Sequence, residues 1–345
     1  MKKRNIILSI FSLILVAILL CLPIFAQSEK INSDKEIRLY PGGMPFGAKI
    51  VSNGLTVVKF SKTSGDDASS AFVAGIREGD IITRIDDCKI SSIEDFVKQI
   101  NTCQGKELCF TVLRGDKELC FKVTPKYCKD DGKYKTGIWV KDSTSGIGTV
   151  TYIVPDTNGF AGLGHAICDS STGKPVRLTR GTVMDVSING VIKGQVGTAG
   201  ELKGCFKSNK IGTLTKNTLS GVYGLLSANC YTPPEAAMQI CPKDELKTGD
   251  AYIWCTLDEG KPQKYAIQIT NIDYSDSNVK NFKVKITDPA LLQKSGGIVQ
   301  GMSGSPIIQN GRIVGAVTHV LINDPTQGYG IFIENMLVNM PDILL

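Results

Sequence analysis

The heptad Gly-Met-Ser-Gly-Ser-Pro-Ile, residues 301–307, has the composition of a reactive loop rather than of a packed core. A serine hydroxyl is a poor nucleophile until a base takes its proton and fixed donors await the developing oxyanion. Gly301 and Gly304 permit tight or positive-φ backbone, so the N–H groups of Gly301 and Ser303 can point into one concavity beside Ser303 Oγ. The competing interpretation is a Gly/Ser/Pro turn that feeds a strand at Ile307. A base must come from the two histidines of the chain. His165 follows Gly162-Leu163-Gly164, a turn that presents a side chain to solvent, and is the expected base. His319 alternates within the apolar run Val314–Val320, where a hydrogen-bonded structural imidazole is expected. With an ordinary imidazole pKa of about 6.5, His165 can accept the Ser303 proton and return it to a leaving amine.

A third group must hold that imidazole in the correct tautomer, and a partly buried carboxylate is the common choice. Candidates are Asp169, Asp185, Asp250, Asp258, Asp273, Asp276, Asp288 and Asp324. Asp288 ends the strand-like run Phe282–Ile286 and precedes Pro289, which places it on a rigid element. Asp185, inside another strand-like run, is its rival; Asp258, Asp273 and Asp276 fall in hydrophilic turns.

The elements that must carry these residues are mostly strands. After residue 136, short apolar runs separated by Gly, Asp, Asn and Thr dominate: 137–140, 148–154, 183–188, 251–256, 265–272, 282–286, 307–308 and 313–320. This spacing indicates a mainly β fold, and the roughly 210 residues available suit two packed six-stranded barrels. Helical patterning is confined to Pro234–Ile240, Leu291-Leu292 and the tail near Glu334. Upstream lies a smaller α+β unit: strands near Ala48–Ile50 and Gly54–Val58, a short helix at Ala71–Ala74 closed by Gly75, a turn at Gly79-Asp80 and a strand at Ile81–Ile85. Ser91 with Glu94 forms a capping-box pattern that opens a helix bearing Ile93, Phe96, Val97 and Ile100 on one face. A hairpin turning at Gly115-Asp116 closes the unit. The expected divisions are a signal anchor at 1–26, a tether at 27–42, the small domain at 43–125 and the large one at 126–345.

Lys2-Lys3-Arg4 precedes a weakly polar to apolar run, Ile6–Phe25, that ends at Ala26-Gln27-Ser28. The run is long enough to span a bilayer, and Ile24 is bulky where a cleavage site wants a small residue, so an uncleaved anchor is favoured over a cleaved signal. The basic flank then stays cytoplasmic and the remainder lies outside the cytoplasm. The 39 basic and 33 acidic residues are dispersed without a Lys/Arg block, which argues against nucleic-acid binding. The 11 cysteines are odd in number and include no C-x-x-C. In the hairpin, Cys109 is expected opposite Lys122 and Cys120 opposite Thr111, so these thiols are not expected to pair, and most cysteines read as small buried hydrophobes. His165 and Cys168 have H-x-x-C spacing but no second ligand pair, so neither a metal nor a cofactor is expected.

Several of these motifs resemble known families. GMSGSP resembles the G-x-S-G-[GS]-P loop of trypsin-like serine peptidases, which implies that Ser303 attacks rather than Ser305. AGIREGDIITRID resembles the PDZ domains of bacterial envelope proteases; the likeness implies peptide binding by strand addition, with Gly54, Leu55 and Thr56 as a carboxylate-capturing loop. GLGHAICD, the run KITDPALLQKSGGIVQGMSGSPIIQNGRIVGAVTHVLINDPTQGYGI and the opening PGGMPFGAKI resemble the stage IV sporulation protein B family of PDZ-containing serine peptidases. That resemblance implies a trypsin-like double barrel and a triad of His165, Asp288 and Ser303. It also implies self-cleavage, and cleavage of a membrane-bound regulatory complex between forespore and mother-cell membranes so that a late sigma-factor precursor is processed. The alternative is a membrane-tethered PDZ scaffold with an inactive peptidase-like domain.

Overall fold

The computed structural model describes residues 37–63, 68–169, 172–233, 235–275 and 279–342. The chain divides into residues 1–37 and 38–345, and the two barrels and the small domain all belong to the second unit. The expected signal anchor and most of the tether lie outside the described residues, as does Asp276. Among the described residues, no helix is long and apolar enough to cross a membrane.

Two six-stranded barrels account for most of this unit. The second is built from Gly249–Cys255, Gln263–Ile272, Phe282–Ile286, Asp324–Phe332, Arg312–Leu321 and Pro306–Gln309 in that spatial order. Its chemistry is plain in Gln263–Ile272, where Tyr265, Ile267 and Ile269 point inward and the residues between them face solvent, the period of two that one buried sheet face requires. Their neighbours in the core are Phe282, Val284, Ile307, Val317 and Phe332.

The first barrel closes through Pro45–Phe60, Ile138–Ile153, Gly159–Gly162, Gly221–Leu226, Glu201–Thr218 and Arg180–Ile192. Its first strand therefore lies upstream of the small domain. Pro45–Val51 pairs with Ser143–Thr149, and Thr56–Phe60 pairs with Ile138–Lys141. These two long strands run out of the barrel and into the small domain, which sits between them as an insertion. The strand Pro45–Phe60 is thus shared between the barrel and the small domain.

The small domain has its own core of Leu55, Ile82, Ile85, Phe96, Ile100, Phe110 and Val112. Its helix Ile93–Thr102 is capped one residue later than the capping-box pattern suggested: Ser92 Oγ accepts from Asp95 N–H, and Asp95 accepts from Ser91 N–H and Oγ–H in return. Those bonds hold the Asp95 carboxyl below its usual range. Asp80 is 1% exposed. It accepts from Arg114 Nε and Nη2, each at 2.8 Å, and from Arg77 N–H. This fork fixes the turn after Gly79, whose φ of 84° suits glycine.

Three expectations fail here for identifiable reasons. Residues Arg38–Pro41, assigned to the tether, form a strand that pairs with Met238–Gln239 and with Tyr152-Ile153. The same pairing turns Met238–Gln239 from the expected helix into a strand, because an unfilled sheet edge outweighs weak helical preference. The hairpin register is as read, Cys109 against Lys122 and Thr111 against Cys120, yet Cys109 and Cys120 are disulfide-bonded with Cα atoms 6.3 Å apart. Diagonal neighbours across an antiparallel pair lie within reach. Of the free cysteines described, Cys128, Cys241 and Cys255 are buried, whereas Cys88, Cys168 and Cys205 are exposed.

Replacing Asp80 with Ala leaves Arg114 and the Arg77 N–H without their acceptor, and should lower unfolding stability by about 2 kcal/mol in urea titration.

Candidate active site

The nucleophile loop, residues 300–305, lies between the barrels and is held by both. From the first barrel, Thr149 N–H donates to Ser303 O at 2.9 Å, Thr149 Oγ1 to Gly301 O at 2.7 Å, and Thr151 Oγ1 to Gly304 O at 2.8 Å. From the second, Val317 O accepts from Gly304 N–H at 2.7 Å. Gly304 has φ of 95°, and a Cβ there would lie 2.0 Å from Thr149 O, so only glycine fits. Ser305 is fully buried with its hydroxyl on Met302 O. Ser303 is half-buried and lines an open cavity of about 640 Å³. Among the described residues, neither Gly301 N–H nor Ser303 N–H donates a hydrogen bond. Two unengaged backbone donors beside a presented hydroxyl are what an oxyanion hole requires.

His165 reaches the same cavity from the first barrel. Leu163 and Gly164, both at positive φ, turn the chain so that Gly164 packs against Thr318 and Ile331 of the second barrel. The imidazole Nδ1 lies 2.9 Å from Ala166 O. That contact suits the tautomer with its proton on Nδ1, which leaves the Nε2 lone pair as the base. Burial lowers the His165 pKa from 6.5, and the Ala166 carbonyl opposes this shift. Ser303 Oγ–H donates to Thr318 O at 2.7 Å rather than to His165, so the serine is in a resting arrangement.

The carboxylates are elsewhere. Asp288 is the N-cap of the helix Pro289–Ser295: Oδ1 accepts from Ala290 and Leu291 N–H and Oδ2 from Ala266 N–H. The placement against His165 that the family resemblance implies is not found. The reason is local, since an Asp-Pro pair at a strand end is a strong helix-start signal, and the cap takes Oδ1 while the neighbouring strand takes Oδ2. Asp185 pairs with Lys207 at 3.1 Å and Asp169 with Lys141 at 2.6 Å. Beyond His165, the cavity brings in an imidazole that the sequence assigned to structure: His319, whose ring centroid is 5.1 Å from that of His165. Among the described residues no charged side chain lines this cavity, and no cluster of three or more His, Cys, Asp or Glu residues could hold a metal ion.

The expected carboxylate-capturing loop of the small domain is not a loop. Gly54, Leu55 and Thr56 belong to the strand Pro45–Phe60, with Leu55 paired to Ile82 and Thr56 to Ile81. Leu55 is fully buried. An open groove of about 380 Å³ lies instead between the helix Ile93–Thr102 and residues 133–139, lined by Phe96, Val97, Ile100, Tyr134, Ile138 and Trp139.

Two closed barrels with a serine, a histidine and unengaged backbone donors at their junction define a serine peptidase. The sequence model of the SpoIVB peptidase S55 family matches residues 132–337, more than half of the chain, and the chain belongs to that family. A PDZ domain matches residues 44–124. A search of curated proteins returned no match. Among solved structures, the PDZ domain of the SdrC-like protein Lmo2051 from Listeria monocytogenes is 23% identical, over 27% of this chain and 93% of that one, with a TM-score of 0.23. The active form of the Rv3671c protease from M. tuberculosis is 15% identical, over 56% of this chain and 72% of that one, with a TM-score of 0.34.

Replacing Asp288 with Asn keeps a good helix cap, so peptidase activity should stay within about tenfold of the parent, whereas an acid that orients the imidazole would cost on the order of 10⁴-fold. Replacing it with Ala should lower stability by about 1 kcal/mol, read by chemical denaturation.

Proposed function

We propose that this chain is an endopeptidase acting outside the cytoplasm, tethered to a membrane by its N-terminal segment. The observation that supports this most is Ser303 on a glycine-supported loop, with two unengaged N–H groups beside it and His165 in the same cavity. Catalysis begins when Ser303 Oγ leaves Thr318 O and attacks the scissile carbonyl carbon. Its proton passes to His165 Nε2, and the oxyanion is held by Gly301 and Ser303 N–H. The C–N bond then breaks and the amine takes the proton from His165. A water molecule activated by the same imidazole hydrolyses the acyl-enzyme and regenerates Ser303. Asp288 supports this site through the helix that leads into the nucleophile loop rather than by touching His165.

The cleft walls include Ile147, Leu163, Ile298, Val299, Val320 and Ile322. An unpaired charge buried against such walls has no partner, so the cleft favours neutral, apolar substrate side chains. The PDZ domain receives an extended segment of a protein partner in the groove between the helix Ile93–Thr102 and Ile138-Trp139. Membership of the S55 family supports a role in sporulation signalling, in which the enzyme cleaves itself and then a membrane-bound regulatory complex, and a late sigma-factor precursor is processed as a result.

Replacing Ser303 with Ala in the full-length chain should abolish self-cleavage and cleavage of a test protein, a loss of roughly 10⁶-fold; undiminished cleavage would refute the assignment. In a peptide library, hydrolysis should favour apolar over charged residues at the cleaved position by about 10-fold or more, on the order of the cost of burying an unpaired charge.

A further inference from the structure

The backbone that carries His165 is held on both sides, and one of the two holds is a side chain that the proposed catalytic cycle does not use. Before the base, Gly164 packs against the second barrel. After it, Val176 N–H donates to Ile167 O at 2.9 Å and Cys168 pairs with Pro175. Asn217, near the end of the strand Glu201–Thr218, caps this pairing. Its Oδ1 accepts from Ile167 N–H at 2.9 Å, and its Nδ2 donates to Ile167 O at 2.9 Å and to Val176 O at 2.8 Å. The partners fix which way the amide faces, since a backbone N–H can only donate and a carbonyl can only accept.

From this juxtaposition we propose that Asn217 is a positioning residue for the peptidase reaction, holding the peptide between Ala166 and Ile167 and, through it, the imidazole of His165. The role rests on the proposed peptidase function. Ala166 C=O and Ile167 N–H belong to one planar trans peptide, so they point in opposite directions and neither turns without the other. On one side Asn217 Oδ1 takes the N–H. On the other the carbonyl, in a buried residue, faces His165 Nδ1 at 2.9 Å. The carbonyl that meets the base is thus aimed by a side chain 50 residues further along the sequence. The bond to the N–H also polarises the peptide and strengthens its carbonyl as an acceptor. Asn217 does not line the cavity, and it takes no part in the proton transfer itself.

The same hold bears on the charge of the base. Burial lowers the His165 pKa and the Ala166 carbonyl opposes that shift, so freeing the carbonyl lowers the pKa further. Among the described residues, the titratable side chains that share the cavity with His165 are His319, of the strand Arg312–Leu321, and Cys168; the Lys280 ammonium acts on His319. None of these groups is a hydrogen-bond partner of Asn217. Activation of Ser303 needs a neutral imidazole and rises as His165 loses its proton, so a lower His165 pKa moves that rise to lower pH.

The test uses the full-length chain and a fluorophosphonate probe that reacts only with an activated serine, with labelling rates measured across pH. Imidazole NMR of the two histidines adds the tautomer and titration of His165, which do not depend on activity. Ser303→Ala should not label; labelling of that variant at the parental rate would overturn the peptidase function itself, whereas the Asn217 variants test the hold on His165. Asn217→Ala should label on the order of 10²-fold more slowly, the scale of a misplaced reacting group. The acid limb of its pH profile and the His165 titration should both move to lower pH, and the tautomer with its proton on Nδ1 should cease to dominate. Asn217→Asp keeps an acceptor for Ile167 N–H but gives up both donors, so it should recover most of the labelling rate and the parental tautomer. Parental labelling by Asn217→Ala, or slower labelling with the His165 titration and tautomer unmoved, would overturn the proposal. So would equal losses in the Ala and Asp variants, which would make the amide a support for the pairing of residues 167 and 176 alone.

Discussion

The arrangement of this molecule depends on three hydrogen bonds that the strand Ile138–Ile153 makes to the nucleophile loop: two from Thr149 and one from Thr151. Each is an ordinary bond, worth about 1 kcal/mol net, but together they fix the carbonyls of Gly301, Ser303 and Gly304. With these three carbonyls turned to the neighbouring strand, the N–H groups of Gly301 and Ser303 are left unengaged beside the cavity that both residues line. The unengaged donors of Gly301 and Ser303 therefore result from where the carbonyls go. Gly304 permits this, because any side chain there would collide with the Thr149 carbonyl.

The electrostatics of the site follow from the same packing. His165 is brought against the second barrel by consecutive positive-φ residues, which bury it and lower its pKa. Among the described residues no carboxylate shares that cavity, so nothing opposes the desolvation except a backbone carbonyl. The base is thus kept neutral, and the site resembles a low-charge pocket more than a strong ion-pair relay. Asp288, which the resemblance places in the triad, caps the helix from which the nucleophile loop emerges.

Much of this was legible in the chain because local chemistry decides it. Ser303 and His165 stand beside glycines whose conformations few other residues adopt, and the mainly β fold followed from the spacing of apolar runs, with the two barrels read from the length available. Gly75, Gly79 and the hairpin at Gly115 fell where turn chemistry placed them. What escaped was non-local. Nothing in Pro45–Val51 says that it belongs to the barrel rather than to the PDZ domain, because its partners are about 100 residues or more away in sequence. Thr149 and Thr151 look like any alternating threonines in a strand. Asp288 carried two compatible signals, a strand-end carboxylate and an Asp-Pro cap, and periodicity alone could not rank them. His319 was discounted because an imidazole in an apolar strand is usually structural; its place in the cavity with His165 is visible only in three dimensions.

The insertion of the PDZ domain between the first two strands of a barrel also bears on when the enzyme can exist. During synthesis the strand Pro45–Phe60 must wait for the whole intervening domain before Ile138–Ile153 arrives to pair with it. The loop bearing Ser303 comes later still, in the final stretch of the chain. Pairings of such long sequence separation form late, after more local units have folded. Thr149 and the loop it holds therefore meet only after residues 300–305 have been made. The arrival of residues 300–305 thus acts as a clock on the hydrolase, and a chain that stops short of them carries the PDZ segments without a nucleophile.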